Sequence, residues 1–176
     1  WVSRSFSSEI YDVEEVQGQV ASFACSRAER LRKQRSVSGE MVVFAYTNRF
    51  KETQPQTYLN ALVSFTTPTS DQRTIVSRSV SATKLMFKKG YGYKKAGVIA
   101  SKIIPEGEVM HSLFEDTAAT EREHKITSTL DAINSTFGKG TIKLAVQGSG
   151  KIKTASDNQS PHYTTKWSDL PKVSVK

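Results

Sequence analysis

The sequence predicts an α+β fold: a small sheet covered on one face by two helices, followed by a small helix–strand appendage. Two stretches repeat apolar residues at helical spacing, one within residues 12–33 and one within residues 69–90. Four stretches rich in β-branched and aromatic residues surround them, which makes the order β-α-β-β-α-β. The charge balance also changes near residue 105, where a second unit is expected to begin.

The first helix has clear signals at both ends. It follows a short strand candidate, Val2–Phe6. Asp12 and Glu15 are spaced as a capping box, in which the side chains accept from free backbone N–H groups of the first turn. The apolar residues that follow lie on one helix face: Val13, Val16, Val20, Phe23, Ala24, Ala28 and Leu31. Cys25, beside this stripe, is expected to be a small core residue.

Three further strands are expected, at Met41–Asn48, Tyr58–Phe65 and Tyr93–Ile104. The middle one alternates along its length, with Leu59, Ala61, Val63 and Phe65 on one face and Tyr58, Asn60 and Ser64 on the other. Two helices on one face of such a sheet leave the other face free to bind a partner.

The second helix lies between the last two strands. Thr69 and Gln72 are spaced as its capping box. Its apolar stripe consists of Ile75, Val76, Val80, Met86 and Phe87. Lys88-Lys89-Gly90 is expected to close it, because cations and a glycine favour a helix C-terminus.

The rest of the chain predicts a separate, smaller unit. The expected division is a first domain (residues 1–105), a linker (residues 106–119) and an extension (residues 120–176). Thr120-Glu121-Arg122-Glu123 is spaced as a capping box, followed on one helix face by Ile126, Leu130, Ile133 and Phe137. A single strand is expected from the alternation of Ile142, Leu144 and Val146. One helix and one strand cannot build an independent core, so we expect the extension to dock on the first domain or on a partner.

The positive charge is concentrated in the first domain. The chain holds 25 Lys+Arg and 17 Asp+Glu, a formal net charge of +8. Residues 1–105 hold 16 Lys+Arg and 8 Asp+Glu, whereas residues 106–176 hold 9 of each. This asymmetry favours a polyanion as partner. A protein-interaction module whose charge only aids solubility is the other interpretation.

Residue types with catalytic or metal-binding chemistry are scattered. The single cysteine and the three histidines, His111, His124 and His162, lack the spacing of metal ligands. Carboxylate pairs lie at helix starts or in linkers, where capping explains them. We therefore expect no catalytic residue, metal or cofactor in this chain. No apolar run reaches the roughly 20 residues that span a bilayer, so we expect a soluble, cytoplasmic piece of a longer protein with no membrane partner.

One motif favours RNA as the polyanion. Lys89-Gly90-Tyr91-Gly92-Tyr93 matches the opening of the RNP1 signature of RNA-recognition motifs, and βαββαβ is also the order of that fold. However, Lys94 and Ala96 stand where the signature has Val and a base-stacking aromatic ring. A helix end followed by a strand explains the same residues, so an RRM-like RNA-binding module is the alternative hypothesis.

Several segments resemble the UmuC-like Y-family translesion DNA polymerases, the catalytic subunits of bacterial DNA polymerase V. Ser3-Arg4-Ser5-Phe6 and Tyr93-Lys94-Lys95-Ala96-Gly97-Val98 are similar to the first and last strands of the family's little-finger domain. The similarity continues, in the same order, through Leu130-Asp131-Ala132-Ile133-Asn134 to the ending Tyr163–Leu170. The chain is identified as a C-terminal fragment of such a polymerase, made of a little finger and a UmuC-type C-terminal extension.

The resemblance implies error-prone translesion synthesis in SOS DNA repair, in the cytoplasm of a bacterium and at its nucleoid. The catalytic carboxylates and their Mg²⁺ would lie in a palm domain upstream of Trp1. The little finger would lie in the major groove of the primer–template duplex and hold phosphates, contacts that do not read sequence. The implied DNA-binding residues are Ser3, Arg4, Ser5, Lys94 and Lys95, with Arg49 and Lys51 as weaker candidates. Neighbouring strand residues point to opposite faces, so one of the two adjacent lysines is expected to face solvent or a helix.

The resemblance also implies partner proteins. Met110-His111-Ser112-Leu113-Phe114 lies where relatives carry a peptide of the form Gln-Leu-x-Leu-Phe that binds the β sliding clamp. Leu113 and Phe114 would enter an apolar groove of the clamp, while Met110 lacks the amide of the usual glutamine. Packing of these apolar side chains on their own domain is the alternative. The family's other partners are the cleaved UmuD dimer and a RecA filament, to which no residue of this chain is assigned. Tyr163 and Trp167 are candidates for an interaction surface, with packing on the single strand Ile142–Val146 as the alternative.

Overall fold

The computed structural model of the chain describes residues 1–51, 53–110, 117–148, 161 and 164–170. The strands are β1 (Val2–Ile10), β2 (Ser36–Thr47), β3 (Tyr58–Thr69) and β4 (Tyr93–Pro105). The helices are α1 (Val13–Lys33), α2 (Gln72–Met86) and α3 (Thr117–Phe137), with 3-10 helices at Glu106–Glu108, Ala145–Gln147 and Trp167–Asp169. The predicted α+β class and the β-α-β-β-α-β order are both confirmed.

The four strands form one antiparallel sheet in the order β1-β4-β2-β3. Each of the four strands is longer than predicted. For example, β2 begins at Ser36, because Ser36 and Val37 pair with Pro105 and Ile104 of β4. The added residues carry no strand signal of their own. They become part of a strand because they form backbone hydrogen bonds with the neighbouring strand.

The core lies between one face of the sheet and the helices α1 and α2. Its fully buried side chains include Phe6, Val20, Leu31, Met41, Ile75, Tyr93 and Val98. Cys25 is buried beside them, as predicted, and burial raises the pKa of its thiol to about 12. The alternation predicted for β3 is confirmed, since Leu59 and Val63 are buried whereas Tyr58 and Asn60 are exposed.

The ends of the two core helices differ from the prediction. Asp12 precedes α1 but makes no side-chain cap hydrogen bond. The cap of α2 is Asp71, whose carboxylate accepts from the Thr74 N–H at 2.7 Å, and not Thr69. The Thr69 hydroxyl instead accepts from the Asp71 N–H at 2.9 Å. The helix ends at Met86 because Phe87 turns to extended backbone, which sets its ring 5.2 Å from that of Tyr93.

The extension docks on the first domain, which was one of the two predicted outcomes. The guanidinium of Arg32 in α1 donates to both carboxylate oxygens of Asp131 in α3, at 2.6 and 2.8 Å, and to the Ser70 carbonyl at 2.8 Å. Such bidentate pairs fix orientation as well as adding energy. Thr127, one turn before Asp131, is buried against Asp71. Leu144 packs against the core from beyond α3.

Two details of the extension correct the prediction. The helix begins at Thr117, so Thr120 lies inside it and does not cap it. The strand predicted at Ile142–Val146 is wrong: this segment leads into the 3-10 helix Ala145–Gln147. A lone strand would need a partner for its backbone groups. Here the Asn134 side chain bonds both the N–H and the C=O of Ile142, at 3.0 and 3.1 Å.

Within the described residues, no helix is both long enough and apolar enough to span a membrane.

Candidate nucleic-acid interface

The face of the sheet opposite α1 and α2, called the open face below, is assigned by strand register. Directly opposite residues of antiparallel strands share a face. Val43 and Ala45 of β2 belong to the core, so their neighbours Phe44 and Tyr46 point the other way, together with their partners on the other strands. The open face includes Ser3 and Ser5 on β1, Lys95, Gly97 and Ile99 on β4, Val42, Phe44 and Tyr46 on β2, and Tyr58, Asn60 and Leu62 on β3. Glu40 continues it on β2, opposite Ser64 and Ser101.

Aromatic rings form a row across the open face. Trp1 meets Phe44 edge-on at 6.3 Å between ring centroids, and Phe44 stacks with Tyr46 at 6.3 Å. Tyr46 lies opposite Tyr58, with 6.1 Å between their rings. The open face of β2 is therefore apolar where a solvent-facing strand is normally polar, which is typical of a surface that meets a ligand.

Gly97 allows this row to lie close to the sheet. A Cβ at position 97 would be 2.6 Å from the Phe44 ring, 2.5 Å from the Ser3 Cβ and 2.7 Å from the Val2 carbonyl oxygen. No real side chain tolerates such distances, so glycine is required by packing. Phe44 is consequently buried although it belongs to the open face.

The two adjacent lysines have different environments. Lys95 lies on the open face, and its ammonium is 5.9 Å from the centroid of the Tyr46 ring. Lys94 lies between Tyr93 and Lys95. These two residues pair with Thr47 and Tyr46, which are adjacent in β2, so the register of the two strands shifts at Lys94. Its ammonium donates to the Ser7 carbonyl at 2.9 Å, at the β1 edge of the sheet. Lys95 is thus presented to a ligand on the open face, whereas Lys94 contacts the edge strand.

The three β1 residues implied by the resemblance also divide between the faces. Ser3 and Ser5 lie on the open face, opposite Gly97 and Lys95. Arg4 lies opposite Ala96, a core residue, and therefore belongs to the helix-covered side, where it is exposed because β1 is an edge strand. A ligand on the open face would reach Arg4 only by wrapping around this edge.

Arg49 and Lys51 flank the open face in the loop between β2 and β3. The guanidinium carbon of Arg49 lies 5.1 Å from the Tyr46 ring centroid, a cation–π distance. Lys51 forms an ion pair with Glu9 of β1 at 2.9 Å. Its hydrogen bond lowers the pKa of the Glu9 carboxyl and raises that of the Lys51 ammonium. Arg49 is therefore placed beside the aromatic row, while Lys51 fixes the loop to β1.

The tyrosines of the RNP1-like stretch are not on the open face. Tyr93 is fully buried, and its hydroxyl accepts from the Lys88 N–H and donates to the Lys88 carbonyl. Burial raises its pKa. Tyr91 is partly buried against the same core. A ring in the core cannot stack a base, so the residues that favoured RNA binding have a structural role.

Several predicted site residues lie outside the described residues. Of the clamp-binding segment Met110–Phe114, the structure describes Met110, whose side chain is exposed. The four residues after it, 111–114, lie outside, as does Tyr163. Trp167 is described and exposed, in a 3-10 helix. No group of three or more His, Cys, Asp or Glu suited to a metal ion occurs in the part of the chain that the structure describes.

The aromatic residues of the open face were missed as site candidates. The sequence did carry a signal, because Tyr58 alternates with the core residues of its strand and therefore faces away from the core. Phe44 and Tyr46 likewise alternate with Val43 and Ala45. What the sequence did not contain was the register that sets Tyr46 opposite Tyr58.

Two family models match the chain. The model of the impB/mucB/samB family C-terminal domain matches residues 1–113. A domain of unknown function, DUF4113, matches residues 124–173. The stretch between the two matches overlaps the predicted linker at residues 106–119.

Curated relatives match nearly the whole chain. Protein UmuC of Salmonella typhimurium is 34% identical over 97% of this chain and 41% of its own length. Protein MucB of Escherichia coli is 29% identical over 99% of this chain and 41% of its own length. DNA polymerase IV of Desulfatibacillum aliphaticivorans is 27% identical over 80% of this chain and 34% of its own length. The chain thus spans about two fifths of the length of its UmuC and MucB relatives.

Proposed function

The chain belongs to the impB/mucB/samB family, and we propose that it is the DNA-gripping, non-catalytic C-terminal part of an error-prone translesion DNA polymerase. The observation that carries the proposal is the open face, a surface bordered by basic side chains on a domain that holds the chain's whole positive surplus. A sheet face that no other described element of the chain covers, in a family whose relatives include a DNA polymerase, supports a primer–template duplex as its ligand.

The polar side chains of the open face suit phosphate. Ser3 and Ser5 offer hydroxyl donors from the edge strand, and Lys95 offers an ammonium directly opposite Ser5. Contacts of this kind hold a duplex in place without reading its sequence. A polymerase that copies damaged templates needs this indifference, because it must accept any sequence.

The proposal assigns the chemical step to the rest of the parent protein. Template-directed nucleotidyl transfer would use carboxylates and Mg²⁺ upstream of this chain, in the bacterial cytoplasm during the SOS response. The chain's own part is to position the duplex. Partners of the whole protein, a UmuD-type dimer and a RecA filament, belong to the same proposal.

The first test is binding of the chain to DNA across a salt series. Fluorescence anisotropy should show similar affinity for primer–template duplexes of unrelated sequence, falling steeply with salt as counterions are released. Lys95→Ala should weaken binding to all of them and make the salt slope shallower by about one. Lys84→Ala, an exposed lysine of α2 on the other side of the sheet, is the matched control.

Two results would contradict the proposal. Equal loss from Lys84→Ala and Lys95→Ala would mean that the charge acts only as a general attraction. A clear preference for single-stranded RNA of matched length, surviving moderate salt, would favour the RNA-binding alternative instead.

Tethering to the sliding clamp is a separate part of the proposal. Exposure of Met110 supports a segment accessible to a partner at this point of the chain. Leu113→Ala combined with Phe114→Ala should abolish binding to the β clamp in surface plasmon resonance and leave DNA affinity unchanged. Retained clamp binding would place the contact elsewhere.

A further inference from the structure

We propose that one end of the open face binds unpaired bases of single-stranded DNA by stacking them on aromatic rings. This end, called the aromatic corner below, consists of Tyr46, Arg49, Phe50 and Tyr58, where β2 and β3 meet their connecting loop. The inference rests on the proposed DNA-binding function and adds the kind of DNA bound. It would place the unpaired template beside the duplex that the polar part of the open face holds.

The first observation is the exposure of two large aromatic side chains. Phe50 is 96% exposed and Tyr58 is 54% exposed. Rings of this size normally contribute to a core or an interface, because leaving their apolar surface in water forgoes the free energy of burial. Two such rings at the end of the sheet where β2 and β3 are connected indicate a surface that a ligand covers.

The second observation is that Phe50 is held outward by a defined loop. The Phe50 N–H donates to the Asn48 side-chain oxygen at 3.1 Å. The amide nitrogen of Gln56 lies across the loop and donates to the carbonyl oxygens of Asn48, Lys51 and Gln54, at 3.0, 2.9 and 3.1 Å. The side-chain oxygen of Gln56 accepts from the Thr47 hydroxyl at 2.8 Å, which fixes the amide to the end of β2.

The ion pair between Lys51 and Glu9 attaches the same loop to β1 at 2.9 Å. The exposure of Phe50 therefore belongs to a loop whose described residues are held by hydrogen bonds and an ion pair. A ring presented in this way loses little conformational entropy on binding, which is how preorganised sites gain affinity.

The charges of the aromatic corner select an anionic partner. Arg49 lies over one side of the Tyr46 ring at 5.1 Å, and Lys95 approaches the same ring at 5.9 Å. These cations are placed to meet phosphates, while the Tyr58 ring next to Tyr46 remains half exposed. Aromatic rings beside a basic groove are the usual means by which proteins bind single-stranded nucleic acid.

The geometry favours unpaired bases over a duplex. Neighbouring bases of a duplex strand are about 3.4 Å apart along the axis and stack on each other, so their faces are unavailable. A side chain can stack only on a base that has left its neighbours, as occurs in single strands.

The test compares three DNAs of matched length by fluorescence anisotropy: an oligo-dT single strand, a blunt duplex, and a primer–template with an unpaired template overhang. The variant is Phe50→Ala with Tyr58→Ala in the full chain. Stacking contributes roughly 1–3 kcal/mol per base, or about fivefold in affinity per ring at its lower end. We expect about tenfold or greater loss on the single strand and the overhang, and less than about twofold on the blunt duplex.

Three controls make the result specific. Phe50→Tyr with Tyr58→Phe keeps both rings and should keep the affinity. Leu85→Ala removes a side chain that is 88% exposed on α2, on the other side of the sheet, and should change none of the three affinities. Thermal unfolding followed by circular dichroism should show the same midpoint for every variant, because both aromatic side chains are exposed.

Each remaining outcome overturns the inference in a distinguishable way. An equal loss of affinity for all three DNAs would mean that the aromatic corner contacts duplex as well as single strands. No loss of affinity would mean that its rings do not bind DNA and are exposed for a protein partner. In both cases the wild-type chain still binds duplex, so the proposed function stands. If the wild-type chain binds none of the three DNAs at low salt, the proposed function fails together with this inference.

Discussion

The two faces of the sheet are built from the same strands and differ in what covers them. On β2, Met41, Val43 and Ala45 are fully buried under the helices, whereas Tyr46 on the alternate positions remains partly accessible. The helices α1 and α2 form a layer over the covered face, and α3 attaches to α1 through Arg32 and Asp131. The open face has no such layer in the described part of the chain, yet it is also rich in apolar side chains.

This difference separates stability from binding. A side chain on the covered face contributes the free energy of burial in the folded protein itself. An aromatic ring on the open face contributes that free energy only when a ligand arrives. Substitutions on the covered face should therefore change unfolding, and those on the open face should change affinity.

The largest expected effect is on the covered face. Phe6→Ala removes a fully buried ring and should lower the free energy of unfolding by about 3–5 kcal/mol, because it leaves a cavity. Tyr58→Ala on the open face should change it by less than about 0.5 kcal/mol. Urea denaturation followed by circular dichroism measures both. Similar losses from the two variants would remove the proposed separation.

Gly97→Ala tests a position where the open face is tightly packed. The added methyl group would meet Ser3, Phe44 and the Val2 carbonyl below 3 Å, so we expect a loss of about 1–3 kcal/mol in unfolding free energy. Gly107→Ala is the control, since a Cβ there meets no atom within 4 Å. If both glycines tolerate alanine equally well, the Phe44 ring is free to move away from β4.

Two tyrosine-to-phenylalanine substitutions, each of which removes one hydroxyl group, compare the two faces of the sheet. Tyr93→Phe removes a hydroxyl with both a donor and an acceptor partner on Lys88, at 3.1 and 3.2 Å. The part-buried hydrogen bonds with the Lys88 backbone are lost, and unfolding free energy should fall by about 1 kcal/mol. Tyr58→Phe, whose ring is half exposed, should have no measurable effect on the same urea curve. An equal effect of the two would contradict the assignment of Tyr93 to the core.

The smallest expected effect is a pH dependence that comes from the loop of the aromatic corner. The hydrogen bond from Lys51 lowers the pKa of Glu9 in the folded chain. A lowered folded pKa stabilises the fold at pH values above the unfolded pKa of the carboxyl, and this contribution is lost as the pH falls through the folded value. The difference in urea midpoint between the wild type and Lys51→Met should therefore be present near neutral pH and disappear in acid. A difference that stays constant with pH would mean that Lys51 acts through packing and not through its charge.

The elements of the first domain could be predicted because each carries a local signal. Apolar spacing marked α1 and α2, and alternation marked β3, so the β-α-β-β-α-β order followed from short-range patterns. Errors arose where a neighbour in space decides the outcome. Ser36 and Val37 join β2 because β4 pairs with them. The stretch that begins at Ile142 is not a strand, and the Asn134 side chain supplies the hydrogen bonds of the Ile142 backbone.

The candidate site shows the same division. The sequence marked a basic first domain, a free sheet face and the lysine pair at positions 94 and 95. The shift in register beside Tyr93 decided that Lys95 lies on the open face and that Lys94 contacts Ser7. Arg4 was assigned to the helix-covered side in the same way, by its pairing with Ala96.

The sequence by itself determined the fold class, the order of the elements and the concentration of positive charge, because these depend on residue types and on spacings of a few residues. Only the tertiary structure decided which side chains meet: the ring row through Phe44 and Tyr46, the glycine that lets this row lie close to the sheet, and the docking of α3 through Arg32. The physical reason is that such contacts join residues distant along the chain, whose relative positions are fixed by strand register and packing and not by any local pattern.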